Sequence, residues 1–133
     1  MTLQERIDLS ETHVCTTVFP FLTNHHDTLF GGKAMSIMDE VSFMAATRFC
    51  RKTLVTVSTD RIDFNKAIPS GSIIEAIARV QNVGRTSLKV KVEIFLEHMY
   101  KEGRELAIEG VFTFVALDEN KQSIPVLEGL DIE

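Results

Sequence analysis

The sequence predicts an α+β domain in which an antiparallel sheet of about five strands wraps one long central helix. Three observations carry that prediction. One stretch, 33–49, has helix-forming residues throughout and no Gly or Pro. Four later stretches are rich in β-branched and alternating apolar residues. The connections between those stretches are short, so neighbouring strands must run antiparallel, because a parallel pair needs a long crossover. A chain of 133 residues suits one domain, 1–133, with one core.

The first strand covers 12–19, where Val and Thr recur before Pro20 closes it. Residues 22–30 read as loop. The helix over 33–49 has a narrow polar stripe at Lys33, Ser36, Glu40 and Thr47, while Ala34, Ile37, Met38, Val41, Met44 and Ala45 cover most of the rest. A helix apolar over so wide an arc is expected to be buried on several sides. Strands follow at 54–64, 72–83, 86–98 and 106–117. They are separated by the turn Ala67-Ile68-Pro69-Ser70-Gly71, by Gly84 and by Gly103. Alternation is clearest in 86–98, with Leu88, Val90, Val92, Ile94 and Leu96 on one face and Ser87, Lys89, Lys91, Glu93 and Glu97 on the other. Residues 122–133 carry no readable pattern.

Composition narrows the function classes. Hydrophobic content of 44% and charged content of 25% are ordinary globular values. No apolar run reaches the ~20 residues that span a bilayer, so no membrane partner is expected. The polar start MTLQERIDLS lacks the apolar region of a secretion signal, which makes the cytoplasm the expected compartment. A formal net charge of −5 disfavours non-specific nucleic-acid binding, and an anionic ligand would need a local basic patch. Cys15 and Cys50 form no CxxC pair and are expected as reduced thiols. His25 and His26 are adjacent, so their side chains tend to diverge, and no third ligand at zinc spacing accompanies them. No metal site is expected. His13 and His98 read as ordinary strand residues.

Chemistry concentrates in 23–39, TNHHDTLFGGKAMSIMD. Gly31 and Gly32 open the helix, where backbone N–H groups uncovered by any Cβ point along the positive end of the helix dipole. Such a terminus holds a carboxylate, a phosphate or a developing oxyanion. Asp39 lies seven residues past Gly32, about two turns on, and returns to the same side. It sits at the border of the polar stripe, where partial desolvation would raise its pKa and suit it to act as a base; the plain alternative is a solvated border residue. Two donors and a carboxylate on one helix face are minimum equipment for hydrolysing an activated acyl group.

Three segments resemble the hotdog fold in its acyl-CoA thioesterase branch, of the YciA type. They are Thr23-Asn24 with Leu29-Phe30-Gly31-Gly32 and Met38-Asp39; the strand from Val55 to Phe64 running into Ala67-Ile68-Pro69-Ser70-Gly71; and Val83-Gly84-Arg85-Thr86-Ser87-Leu88-Lys89 with its continuation. The resemblance covers roughly residues 10–118. It implies hydrolysis of acyl-CoA to a free acid and coenzyme A, within fatty acid metabolism. Asp39 would act as general base on a water, or attack the thioester carbonyl through an anhydride. The Gly32 N–H would stabilise the oxyanion, with Gly31 beside it, and Asn24 would orient the water or the thioester, across a dimer interface from the partner's Asp. Coenzyme A would rest along Arg85, Thr86, Ser87 and Lys89. No metal or redox cofactor is implied, because the thioester is already activated. The assembly implied is a homodimer or a trimer of dimers with sites between subunits, which agrees with a single helix leaving its other side to be covered.

Other readings stand beside these. Asn24 suits an Asx turn, and the two glycines suit tight packing. The segment 84–87 is a hairpin turn at minimum, with Glu93 offsetting the lysines. Met35, Met38, Met44 and Phe43 suit the core or an acyl tunnel. Where similar proteins carry a Gly shortly before Phe-Gly-Gly, this chain has His25-His26-Asp27-Thr28, and Asp27 tolerates the left-handed backbone a Gly would adopt. A hotdog dehydratase or isomerase would have to use His25 or His26. A non-catalytic acyl-CoA sensor is the remaining rival. Sensors of that type carry a DNA-binding domain first, whereas about ten residues precede the first strand here.

Overall fold

The structure, a computed structural model, describes residues 1–128. A short helix, α1 (Leu3–Ser10), precedes strand β1 (Thr12–Val18) and a single tight turn at Pro20–Leu22. The long helix, α2 (Gly31–Cys50), leads into β2 (Thr53–Phe64), β3 (Ser72–Val83), β4 (Ser87–His98) and β5 (Arg104–Leu117). The strands make one sheet in the order β1-β3-β4-β5-β2, antiparallel throughout, as their short connections require. Helix α2 lies across one face, chiefly over β3 and β4. The expected α+β hotdog architecture is therefore present.

The alternation in β4 sorts as its side chains dictate: Leu88, Val90, Val92, Ile94 and Leu96 are buried against α2, while Lys89 and Glu97 face outward. From the helix, Ala34, Met38, Val41, Ala45 and Phe49 fill the space above them. Gly110 on β5 allows a close approach. A Cβ there would come within 2.9 Å of Ile62 Cγ1 and 3.3 Å of Met38 Cε, so the missing methyl lets Ile62 of β2 and Met38 of α2 sit close against β5. The β2–β5 register shifts nearby, between Asp60 and Asp63.

Two expectations needed correction. The sequence reading places no helix ahead of β1, yet α1 is there. With 8 residues it is too short for periodicity to reveal, and tertiary contacts hold it. Thr2 and Glu5 form a reciprocal capping box, Arg48 of α2 donates to Leu9 O at 2.9 Å and Glu11 O at 3.2 Å, and Arg79 of β3 donates to Asp8 at 2.7 Å. The second correction concerns α2, expected to be buried on several sides. Within one chain the sheet covers one side, and Met35 and Phe43 stay 44% exposed. Edge strand β2 adds exposed Val57 and Phe64.

Candidate active site

The loop before α2 is built by Asn24. Its Oδ1 accepts from His26 N at 2.8 Å and Thr28 N at 3.3 Å, and its own N–H donates to Thr28 O at 2.8 Å. The Asx-turn reading thus holds, with the Nδ2 group left over as a donor. Asp27 adopts a φ of 60°, the left-handed conformation expected of the residue replacing Gly. His25 and His26 stack on each other at the exposed loop tip, ring centroids 3.9 Å apart. Backbone bonds from Leu29 N to Ile68 O (2.7 Å) and Ser70 N to Asp27 O (2.8 Å) pin the loop to the turn before β3, and Phe30 N to Leu22 O (2.9 Å) closes the loop on its own start. That anchoring sets where α2 begins.

Phe30 is the N-cap residue and supplies no side-chain cap; its carbonyl accepts from Lys33 N at 2.9 Å and Ala34 N at 3.0 Å. The exposed Gly31 and Gly32 N–H groups therefore have no acceptor among the described residues. A Cβ on Gly32 would meet the Phe30 ring at 3.1 Å, whereas one on Gly31 would meet open space. Gly32 is thus the position where ring packing and a free donor coincide.

Asp39 projects from the open face of α2, and its Oδ1 accepts from Thr56 Oγ1 on β2 at 3.2 Å. Its exposure corrects the expected desolvation: within one chain, nothing removes this carboxylate from water. Ser42 Oγ donates to the Asp39 carbonyl at 2.9 Å and steadies that turn of the helix. Sequence reading missed Thr56. Its signal was there in register form, a hydroxyl two residues after inward-facing Leu54 and so on the helix side of β2. Asn24 and Asp39 share no hydrogen bond within the chain, so the structure does not join them.

The 84–87 segment is a hairpin turn, closed by Gly84 N donating to Ser87 O at 2.8 Å. Its carbonyls are engaged: Thr86 O accepts from Ala116 N at 3.0 Å and Arg85 O from Val126 N at 2.8 Å. The first ties β5 and the second the chain after β5 to the turn; of the unassigned 122–133 stretch, 129–133 lies outside the described residues. The Arg85 side chain is exposed and makes no ion pair among the described residues. The basic face expected beside it is largely neutralised. Lys89 pairs with Asp60 at 3.3 Å and Lys91 with Glu109 at 4.0 Å, rather than with Glu93. Thr56 pairs with Phe114, and Phe114 with Leu88, which faces α2. Ser87 and Lys89 flank Leu88 and therefore point to the opposite side of the sheet from the Asp39 carboxylate.

Of the remaining candidates, Met38 is buried in the core, Met44 is half-buried, and Met35 and Phe43 lie on the same open face as Asp39. No group of His, Cys, Asp and Glu suited to a metal occurs among the described residues. Cys15 is a free exposed thiol on β1, and Cys50 is buried, which pushes its thiol pKa up. No helix among the described residues is long and apolar enough to cross a membrane.

A family model for the thioesterase superfamily matches residues 26–102, from the Asn24 loop through β4. The chain belongs to this superfamily. A Bacillus subtilis protein named as an uncharacterized acyl-CoA thioester hydrolase is 44% identical over 109 residues, 82% of this chain. The chain spans 63% of that relative's length. The cytosolic acyl coenzyme A thioester hydrolase of Homo sapiens is 29% identical over 122 residues, 90% of this chain and 32% of its own. Among solved structures, the acyl-CoA hydrolase of Bacillus cereus superposes with a TM-score of 0.87 at 35% identity, covering 90% of this chain and 73% of the other. The Staphylococcus aureus enzyme, solved with butyryl coenzyme A and coenzyme A, gives 0.86 at 35% identity with the same coverage.

Proposed function

We propose that this protein hydrolyses acyl-CoA thioesters to a carboxylic acid and coenzyme A. The observation that carries the reading is the open face of α2, which starts at two uncapped glycine N–H groups and presents Asp39, oriented by Thr56. The thioester carbonyl oxygen would point to the Gly32 N–H, with Gly31 and the helix dipole adding to the field. Asp39 takes a proton from water as the water oxygen bonds to the carbonyl carbon. The tetrahedral adduct then collapses, the carbon–sulfur bond breaks, and the proton on Asp39 passes to the departing thiolate. Gly32 and Asp39 are separated by about 10.5 Å of helix rise, shortened because an Asp side chain leans toward the helix N-terminus. That span suits an intervening water better than direct attack by the carboxylate.

Asn24, with Nδ2 free, would orient the water or thioester from a second copy. Coenzyme A would reach Arg85 and Thr86, with Ser87 and Lys89 serving only where its tail passes to the outer face. No cofactor is required beyond the substrate. Exposed Val57 and Phe64 on edge strand β2 support a homodimer that pairs these edges and leaves the open face of α2 beside the seam. A trimer of dimers is the fuller assembly we favour, supported by a structural neighbour described as a hexameric acyl-CoA thioesterase. The substituted residues in solved variants of the Staphylococcus aureus enzyme are an Asp, a Thr and an Asn, the types found here at Asp39, Thr56 and Asn24. The free thiols and the relative named as cytosolic support a cytoplasmic setting. Thiol release from acyl-CoAs running from acetyl to palmitoyl tests the proposal. Turnover of at least one is expected, and silence across the panel, or enoyl-CoA hydration without free thiol, would reject it.

A further inference from the structure

Resting on the hydrolase reading, we infer that Phe43, backed by Phe114, forms the floor of an acyl subsite and sets which acyl chains Asp39 processes. Four side chains close a ring on the helix-facing side of the sheet. Asp39 accepts from Thr56 at 3.2 Å, and Thr56 pairs in register with Phe114. The Phe114 ring lies 6.3 Å from that of Phe43, tilted by 55°. Phe43 returns to Asp39 four residues, about one helical turn, away, ~6 Å along the axis. Two corners are polar and two aromatic, so the apolar edge begins where the carboxylate edge ends.

Exposure separates the two rings. Phe114 is fully buried and belongs to the core, whereas Phe43 is 44% exposed and presents a free face beside the carboxylate. An exposed Phe alone signifies little. Its meaning here comes from position: Met35 and Phe43 flank Asp39 on the open face of α2, and Phe43 is the one backed by a buried ring in register with Thr56, so an acyl chain that runs from the Gly32 end past Asp39 meets it. Charge narrows the class further. Residues 34–47 of α2 contain no Lys or Arg, and Glu40 follows Asp39 directly. A carboxylate-ended acyl group would face like charge without a cation, so the subsite takes uncharged, apolar acyl chains.

The test measures kcat/KM over straight-chain acyl-CoAs from acetyl to palmitoyl, plus succinyl-CoA, for wild type, Phe43→Ala, Phe43→Leu and Phe43→Trp. Removing the ring should move the optimum to longer chains and enlarging it to shorter ones. The long-to-short ratio should shift at least about tenfold in opposite directions, with Leu between wild type and Ala. Succinyl-CoA should be among the poorest substrates. Should Phe43→Ala fail to fold, the Leu and Trp variants carry the same comparison. Ratios that stay constant while all rates fall together, or succinyl-CoA as the preferred substrate, would overturn the assignment while leaving the hydrolase reading intact. A wild type that releases no thiol at all overturns both.

Discussion

The α2–β2 side of the molecule and the α1–β1–β3 side use polar groups in opposite ways. On the second, charges close on one another: Asp8 to Arg79 (2.7 Å), Arg79 to Glu11 (3.2 Å), Glu11 to His13 (2.7 Å), His13 to Glu75 (3.2 Å), and Glu75 to Arg104, which also lies 4.2 Å over the Phe95 ring. Every member has a partner, and the chain of pairs staples α1 and the β1 edge to the sheet. On the first, among the described residues, Asp39 has only a neutral hydroxyl, two helix N–H groups have no acceptor, and apolar side chains remain uncovered. Groups that satisfy each other hold a fold; groups left with spare capacity beside apolar surface are where a ligand can gain something.

The contrast can be broken or sharpened by substitution. The largest effect on stability should come from Gly110→Ala, whose Cβ would push Ile62 of β2 and Met38 of α2 away from β5. An overpacking cost of about 1–3 kcal/mol is expected, and because β2 carries Thr56, activity should fall with stability. Thermal melts and thiol release on the same preparation check this; adding Ile62→Ala should restore part of both. Thr56→Val is next. It keeps shape and removes the hydroxyl that orients Asp39, so kcat should drop by roughly tenfold with little change in melting temperature. A variant with full kcat would show that Asp39 needs no such support.

The smallest effect concerns pH on the paired side. The Glu11 carboxylate, then Glu75, hold the His13 pKa above its ordinary 6.5. A raised folded pKa means stability fully present below 6.5 and lost as pH climbs through the folded value. Arg79 lowers the Asp8 pKa below 3.8, and His13, then Arg79, lower that of Glu11 below 4.5, so their contributions vanish as pH falls under those values. The staple should be strongest between about 4.5 and 6.5. The His13 side chain is 44% exposed, so screening keeps its share within ~0–1 kcal/mol. A His13→Gln variant should flatten the alkaline limb of a melting-temperature profile; an unchanged limb would remove His13 from the staple.

Much of this was legible in the sequence, for physical reasons. The long α2 and the four later strands announce themselves because each is long enough for its period to accumulate, and their short connections leave little freedom in pairing. Asn24 and Asp27 were legible as turn chemistry. Features created by tertiary register were not. Helix α1 depends on Arg48 and Arg79 reaching it from elsewhere, although Thr2 and Glu5 at capping-box spacing were a readable hint. The Thr56–Asp39 bond and the Lys89–Asp60 pair need the β4-β5-β2 order before either partner can be named. Alternation put Ser87 and Lys89 opposite Leu88, but only strand pairing reveals that Asp39 lies on the Leu88 side.

The central claim is that catalysis belongs to the open side and stability to the paired side. Its most direct test compares Asp39→Asn with Arg79→Ala for both thiol release and melting temperature. Asp39→Asn should lose ~10²-fold or more in turnover while melting like wild type. Arg79→Ala should keep its turnover at low temperature and melt a few degrees earlier. An Asp39→Asn protein that still hydrolyses acyl-CoA at the wild-type rate would contradict it.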